Sequence, residues 1–177
     1  MILIIEGSDL VGKSTLAERI RDHRGWPIVK IRWALTGDVE SETTGMARAT
    51  IELLLGLNPD IVLDRSYFSM WAYSEDPSFM PPLMQRFDRI SSQHQARLVV
   101  LTASESEIRR RWRAQPDEYF SLQVILRANE RFRSLAQHVP TSLPVLELDT
   151  SVLTPDEIAA EVERFLDAGQ SGSSIER

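Results

Sequence analysis

The chain has 177 residues, 42% of them hydrophobic and 26% charged, which suits one soluble domain able to bury a substantial core. The absence of cysteine excludes disulfides and thiolate metal sites. A net charge of −6 speaks against general binding to nucleic acid.

Residues 1–5 form an apolar, partly β-branched run ending at Glu6-Gly7, which predicts a buried parallel strand and is too short for a signal peptide. No apolar stretch approaches the ~20 residues of a membrane span, so a cytoplasmic protein without membrane partners is expected. Residues 14–23 predict a helix with Leu16 and Ile20 on one face, and residues 27–33 a second strand. A helix over 43–57 stops at Asn58-Pro59, and residues 60–64 form a short strand. Next come a helix over 81–95, a strand over 97–102, a helix over 105–113 halted before Pro116, and a long helix over 117–137. Residues 145–148 are the last strand. The helix over 155–168 opens on Thr154 and Glu157, a capping box. Residues 169–177 are rich in Gly and Ser and are predicted to fray.

Five strands alternating with helices predict an α/β fold: a parallel sheet covered on both faces, in one domain over 1–168. Ligands of such sheets sit beyond the carboxyl ends of the strands.

Residues 7–14 read Gly-Ser-Asp-Leu-Val-Gly-Lys-Ser, a phosphate-loop pattern with a strand before it and a helix after it. The glycines let backbone amides turn towards phosphate oxygens, and the helix start adds unpaired N–H groups and a positive dipole end. Gly7, Leu10, Val11, Gly12, Lys13, Ser14 and Thr15 are therefore the candidate ATP-binding residues. Lys13 is expected to reach the β- and γ-phosphates, and the Ser14 hydroxyl to ligate Mg²⁺.

No Asn-Lys-x-Asp segment is present to read guanine, which excludes a switch GTPase. The apolar strand at 60–64 ends in Asp64-Arg65, without the adjacent acids of a motor or AAA-type ATPase. Asp64 can hold the metal or accept a proton from an attacking group, and Arg65 can hold a second phosphate. An acid beside a base suits transfer between two phosphate-bearing molecules.

These two segments resemble the thymidylate kinase family and related nucleoside and nucleotide kinases. Residues 6–15 are similar to its Glu-Gly-x-Asp-x-x-Gly-Lys-[Ser/Thr]-Thr loop. Residues 64–73 match Asp-Arg-Tyr-x-x-Ser-x-x-Ala-Tyr at Asp64, Arg65, Ser69, Ala72 and Tyr73, and Leu146-x-Leu-Asp149 resembles the last strand. The resemblance covers about residues 1–168 and implies a P-loop nucleotide-kinase fold with ATP and Mg²⁺ on the phosphate loop. It implies that Asp9 contacts the acceptor sugar and Arg65 its phosphate, that Asp64 works at the metal or the attacking oxygen, and that Tyr73 packs near sugar and base. Glu6 supports the loop without reacting.

Residues 86–133 hold ten arginines against six acids, a local +4 that leaves −10 for the remainder. Position 10 is Leu, where some family members carry a catalytic arginine. The resemblance then implies that a lid, about residues 105–118, supplies the arginines. Arg109 and Arg113 share a helix face at i,i+4 and are the candidates to close over the phosphates.

The chain also departs from the family. Ser66 replaces the Tyr after Asp-Arg, as in the Glu-Arg-Ser segment of deoxynucleoside kinases; Ser74 replaces Gln, and the Arg-Glu-Pro-Gly-Gly-Thr segment is missing. Arg48 is the nearest candidate to read a base. His23, His94 and His138 lack metal-ligand spacing and are assigned to surface or packing. The four tryptophans are expected mainly in packing, with Trp33 and Trp71 near the predicted acceptor side.

The expected activity is ATP- and Mg²⁺-dependent phosphoryl transfer to a small-molecule acceptor, a nucleoside monophosphate and most simply a deoxynucleotide. Alternatives are a deoxynucleoside kinase, a kinase acting on a hydroxyl of a nucleic acid, and a nucleotide-binding sensor. A homodimer is compatible with each.

Overall fold

The computed structural model describes residues 1–31, 49–50, 52–54, 56–57, 59–75 and 81–168, with backbone alone at 81–83. In chain order the elements are β1 (Ile2–Gly7), α1 (Lys13–Arg24), β2 (Ile28–Lys30), β3 (Ile61–Asp64), α2 (Tyr67–Tyr73) and α3 (Pro81–Gln93). There follow β4 (Ala96–Thr102), α4 (Glu105–Ala114), α5 (Leu122–Arg133), α6 (Leu135–His138), β5 (Val145–Asp149) and α7 (Pro155–Asp167). The strands form one sheet in the order β2-β3-β1-β4-β5, every pair parallel.

β1 lies in the centre and is buried along its whole length. Its alternating side chains feed two cores, as the two-residue period of a strand requires. Ile2 and Ile4 join Leu63, Leu98 and Val100 under Tyr67, Phe68, Trp71, Phe87 and Phe132. Leu3 and Ile5 join Val62, Val99 and Leu101 under Leu16, Ile20, Ile108, Ile158 and Val162. Helices on both faces follow, because a parallel sheet with two apolar faces needs two covers.

The expected α/β sheet and its five strands are present, with small shifts at the ends. The predicted helix at 43–57 is helical at 49–50, 52–54 and 56–57, and its other residues lie outside the described ones, as do Trp33, Arg48 and the tail at 169–177. The long helix at 117–137 is corrected. Asp117 Oδ1 accepts the N–H groups of Tyr119 and Phe120, a local turn that competes with helix, and the helix starts only after Ser121 caps Val124 N–H. It ends at Arg133, with Ser134 separating it from the single turn of α6. The capping box at Thr154 and Glu157 forms as expected, and its neighbour Pro155 opens α7.

α2 was not foreseen from periodicity. Its seven residues are nearly all buried, so no polar face marks it as a helix.

Candidate functional site

At the carboxyl end of β1 the chain turns without a side chain. Gly7 has φ +143°, and a Cβ there would stand 2.3 Å from the Leu101 carbonyl oxygen of β4 and 2.8 Å from Val11 Cγ2. Leu10 takes a left-handed conformation at φ 69°, and Gly12, at φ 92°, caps α1 without a side-chain bond. The first helical bond runs from Leu16 N–H to the Gly12 carbonyl, at 3.1 Å. Helix geometry therefore leaves the N–H groups of Lys13, Ser14 and Thr15 without a carbonyl partner, facing the open end of the loop. Val11 packs its side chain into the second core, so its backbone alone is free to meet a ligand.

Lys13 is buried within this loop, its ammonium donating to the Ser8 carbonyl and lying 3.9 Å from Asp9 Oδ1. Burial, and then the charge of Arg65, lowers its pKa to about 8. An ammonium held this poorly has much to gain from an incoming polyanion.

The segment after β3 packs against the loop from the other side. Arg65 is left-handed at φ 76°, an uncommon conformation for a side-chain-bearing residue, and its N–H bonds the Ile5 carbonyl at 3.1 Å. The guanidinium is ion-paired with Asp9 Oδ1, reaches Ser69 Oγ at 3.3 Å and lies 5.1 Å from the Tyr73 ring centroid. The Tyr73 hydroxyl accepts from Asp9 N–H at 2.8 Å and donates to Asp9 Oδ2 at 2.7 Å. Burial pushes the Asp9 carboxyl up, but Lys13, Arg65 and the bonds from Tyr73 and Arg65 outweigh it and hold it below the ordinary carboxylate value. Asp9 thus joins three elements: the loop, β3 and α2.

Beneath this cluster lies Glu6, fully buried. Its carboxylate takes Ser66 N–H at 2.6 Å, Ser66 Oγ at 2.8 Å, Ser69 N–H at 3.3 Å and Ser69 Oγ at 2.6 Å. These partners, Ser66 and Ser69, are at the start of α2 rather than in the phosphate loop. Burial raises its pKa against those hydrogen bonds and the charge of Arg65. The four bonds fix the backbone that follows Arg65, and so support its left-handed turn.

Asp64, buried at the end of β3, has Oδ2 3.4 Å from Ser14 Oγ. These are two hard oxygen donors at the mouth of the loop. Mg²⁺ normally keeps several waters and takes phosphate oxygens, so a pair of protein oxygens fits it. Among the described residues no group of three or more His, Cys, Asp or Glu is placed to hold a metal ion.

The arginines of α4 take up different positions. Arg109 is exposed and paired with Glu105, and Arg113 is exposed in the last turn of the helix. Arg111 instead faces the loop. Its Nη1 donates to the Leu10 carbonyl at 2.7 Å and Thr150 Oγ1 at 3.1 Å, its Nη2 to the Thr150 carbonyl at 2.8 Å, and its Nε to Glu107 at 2.7 Å. It ties the phosphate loop to the turn after β5. The sequence offered four arginines within five positions but no signal for the rotation of α4 on the sheet. Phe120, just past the predicted lid, has its ring centroid 4.6 Å from that of Tyr73, so the segment between the lid and α5 touches the Asp9 cluster.

No family model matches the chain. The SPbeta prophage-derived protein YorR of Bacillus subtilis (strain 168) is 26% identical over 170 residues, covering 91% of this chain and 96% of YorR. The crystal structure of YorR from Bacillus subtilis in complex with phosphorylated GDP aligns at a TM-score of 0.75 with 23% identity, over 97% of this chain and 98% of that one. Thymidylate kinase from Candida albicans aligns at 0.67 with 16% identity, over 96% and 92%. Deoxyadenosine kinase from M. mycoides, with dCMP and a flexible dCDP bound, aligns at 0.60 with 13% identity, over 95% and 100%. The chain has the fold of the P-loop kinases.

Proposed function

We propose that the protein is a P-loop kinase that moves the γ-phosphoryl group of a nucleoside triphosphate, ATP in the simplest case, to a nucleoside monophosphate, with a deoxynucleotide as the preferred class. The observation that carries this reading is the junction at Asp9. A residue of the phosphate loop is bound by Arg65 from the end of β3 and by Tyr73 from α2, which brings a donor site and a second anion-binding group together.

In this reading the loop amides and Lys13 hold the donor phosphates, and the ammonium exchanges the Ser8 carbonyl for phosphate oxygens. Ser14 and Asp64 would hold Mg²⁺, which when bound offsets phosphate charge. Arg65 holds the acceptor phosphate in line with the donor, and Asp9, Ser69 and Tyr73 fix the guanidinium in place. Transfer of a phosphoryl group asks the protein mainly for positioning and charge stabilisation, which buried cations and backbone N–H groups supply. Arg113, exposed and at the end of α4, closes over the transferring group.

YorR's complex with phosphorylated GDP makes a guanine nucleotide worth testing as donor or acceptor, and the deoxyadenosine kinase neighbour keeps a nucleoside acceptor in the comparison. The test is a turnover screen with ATP or GTP and Mg²⁺ against nucleosides, nucleoside monophosphates and oligonucleotides. Formation of a diphosphate from a monophosphate is expected. Product from nucleosides alone, from oligonucleotides alone, or acceptor-independent turnover would each replace the proposal.

A further inference from the structure

The chain has two lysines, Lys13 in the phosphate loop and Lys30. Lys30 is the last residue of β2, in register with Asp64 of β3. The same strand faces carry Ile28 and Val62 into the second core, so the pleat brings Lys30 and Asp64 out on the α1 side of the sheet, beyond that core. Lys30 Nζ lies 3.9 Å from Asp64 Oδ2, the oxygen that Ser14 Oγ also approaches. The lysine side chain is 51% exposed, whereas that of Asp64 is 7% exposed.

An ion pair this open and this long adds little to stability, so it is a weak reason to keep a lysine there. It is, however, a cation that can change partner cheaply. Arg65 is different: Asp9, Ser69 and the Tyr73 ring hold it already. The strand order puts β2 at the edge opposite β5, whose following turn is tied by Arg111 to the donor loop. Lys30 therefore stands on the edge away from β5, beside Asp64, which immediately precedes the arginine that the proposed function assigns to the acceptor phosphate.

We propose that Lys30 is a further acceptor-binding residue, whose ammonium leaves Asp64 to engage the phosphate already carried by the acceptor. A dianionic phosphate offers a stronger charge-assisted bond than one shared carboxylate oxygen. This cation selects a nucleoside monophosphate over the matching nucleoside. The inference rests on the proposed function and adds to it a residue that enforces the substrate class.

The test is calorimetric binding in saturating Mg·ADP. The four common deoxynucleoside 5′-monophosphates and their nucleosides are titrated into the wild-type chain, Lys30→Gln and Lys30→Arg, with thermal melts to confirm folding. The monophosphate that binds the wild type is expected to bind Lys30→Gln about tenfold or more weakly and Lys30→Arg within about threefold. Affinity for Mg·ADP and for the nucleoside is expected to change by less than about twofold. Unchanged monophosphate affinity in Lys30→Gln overturns the inference, and so does an equal loss of Mg·ADP affinity, which would put Lys30 on the donor side. If the wild type binds nucleosides but no monophosphate, the proposed acceptor falls, and the selection assigned to Lys30 falls with it.

Discussion

The phosphate loop and the cluster around Asp9 share a residue but are held in different ways. From Gly7 to Ser14 the shape is a property of the backbone, with three positive-φ residues, a close approach of Gly7 to the Leu101 carbonyl, and a helix start left open. The Asp9 cluster is a property of side chains, joining residues 9, 65, 69 and 73 with Glu6 underneath. A backbone site meets any chain of phosphates that fits its amides, since every residue type has an N–H to offer except proline. A side-chain site can be retuned one residue at a time. On the proposed function the two halves are therefore expected to fail differently: the loop, as the proposed donor site, through loss of chemistry, and the Asp9 cluster, as the proposed acceptor site, through loss of affinity for one substrate.

The largest expected effect is at Lys13. Lys13→Met is predicted to lower kcat by about 10³-fold, the scale of removing a preorganised group that stabilises transition-state charge. The ligand-free variant should fold as well as the wild type. Because the folded-state pKa of Lys13, about 8, lies below its ordinary value of 10.5, the unfolded chain binds more protons between those values. The wild type should then gain stability relative to Lys13→Met as pH rises from about 8 to 10.5, by a few kcal/mol at most; denaturant midpoints of both chains measured across that range check the sign.

Next in size is Arg113→Ala, predicted to cut turnover more than about tenfold with little change in Tm, as an exposed arginine that acts only in the closed state should. Equal turnover would remove Arg113 from the reaction. Tyr73→Phe tests the acceptor half. It strips Asp9 of a donor and an acceptor at once, and is expected to raise the acceptor KM about five- to tenfold while the ATP KM stays within about twofold. A matching rise in the ATP KM would mean that the two halves are not separable.

The smallest effect is expected at Arg111→Lys. An ammonium cannot span Leu10, Thr150 and Glu107 as the planar fork does. The ATP KM should rise about three- to fivefold and the acceptor KM remain constant, read from the same steady-state assays.

How much of this could be seen in the sequence depends on how local each feature is. The phosphate loop lies in eight consecutive residues between an apolar run and a helical one, so its identity and its place at a strand end were both readable. Asp64, Arg65, Ser69 and Tyr73 were singled out by the resemblance of residues 64–73 to a family segment, although the helix that carries Ser69 and Tyr73 was not legible, because burial of most of its residues erases the amphipathic signal. The alternation of strands and helices was enough for the α/β class, since each element announces itself within a few residues.

Other features depend on how distant elements pack. Arg109, Arg111 and Arg113 are chemically alike, and the roll of α4 against the sheet brings Arg111 to the Leu10 carbonyl and the turn after β5. The partners of Glu6 are sixty or more positions away, at the start of α2, because β1 and β3 are neighbours in the sheet. Lys30 meets Asp64 through a strand register that neither segment contains. Backbone conformation is written in neighbouring residues, whereas the meeting of side chains across strands and helices is set by register and rotation.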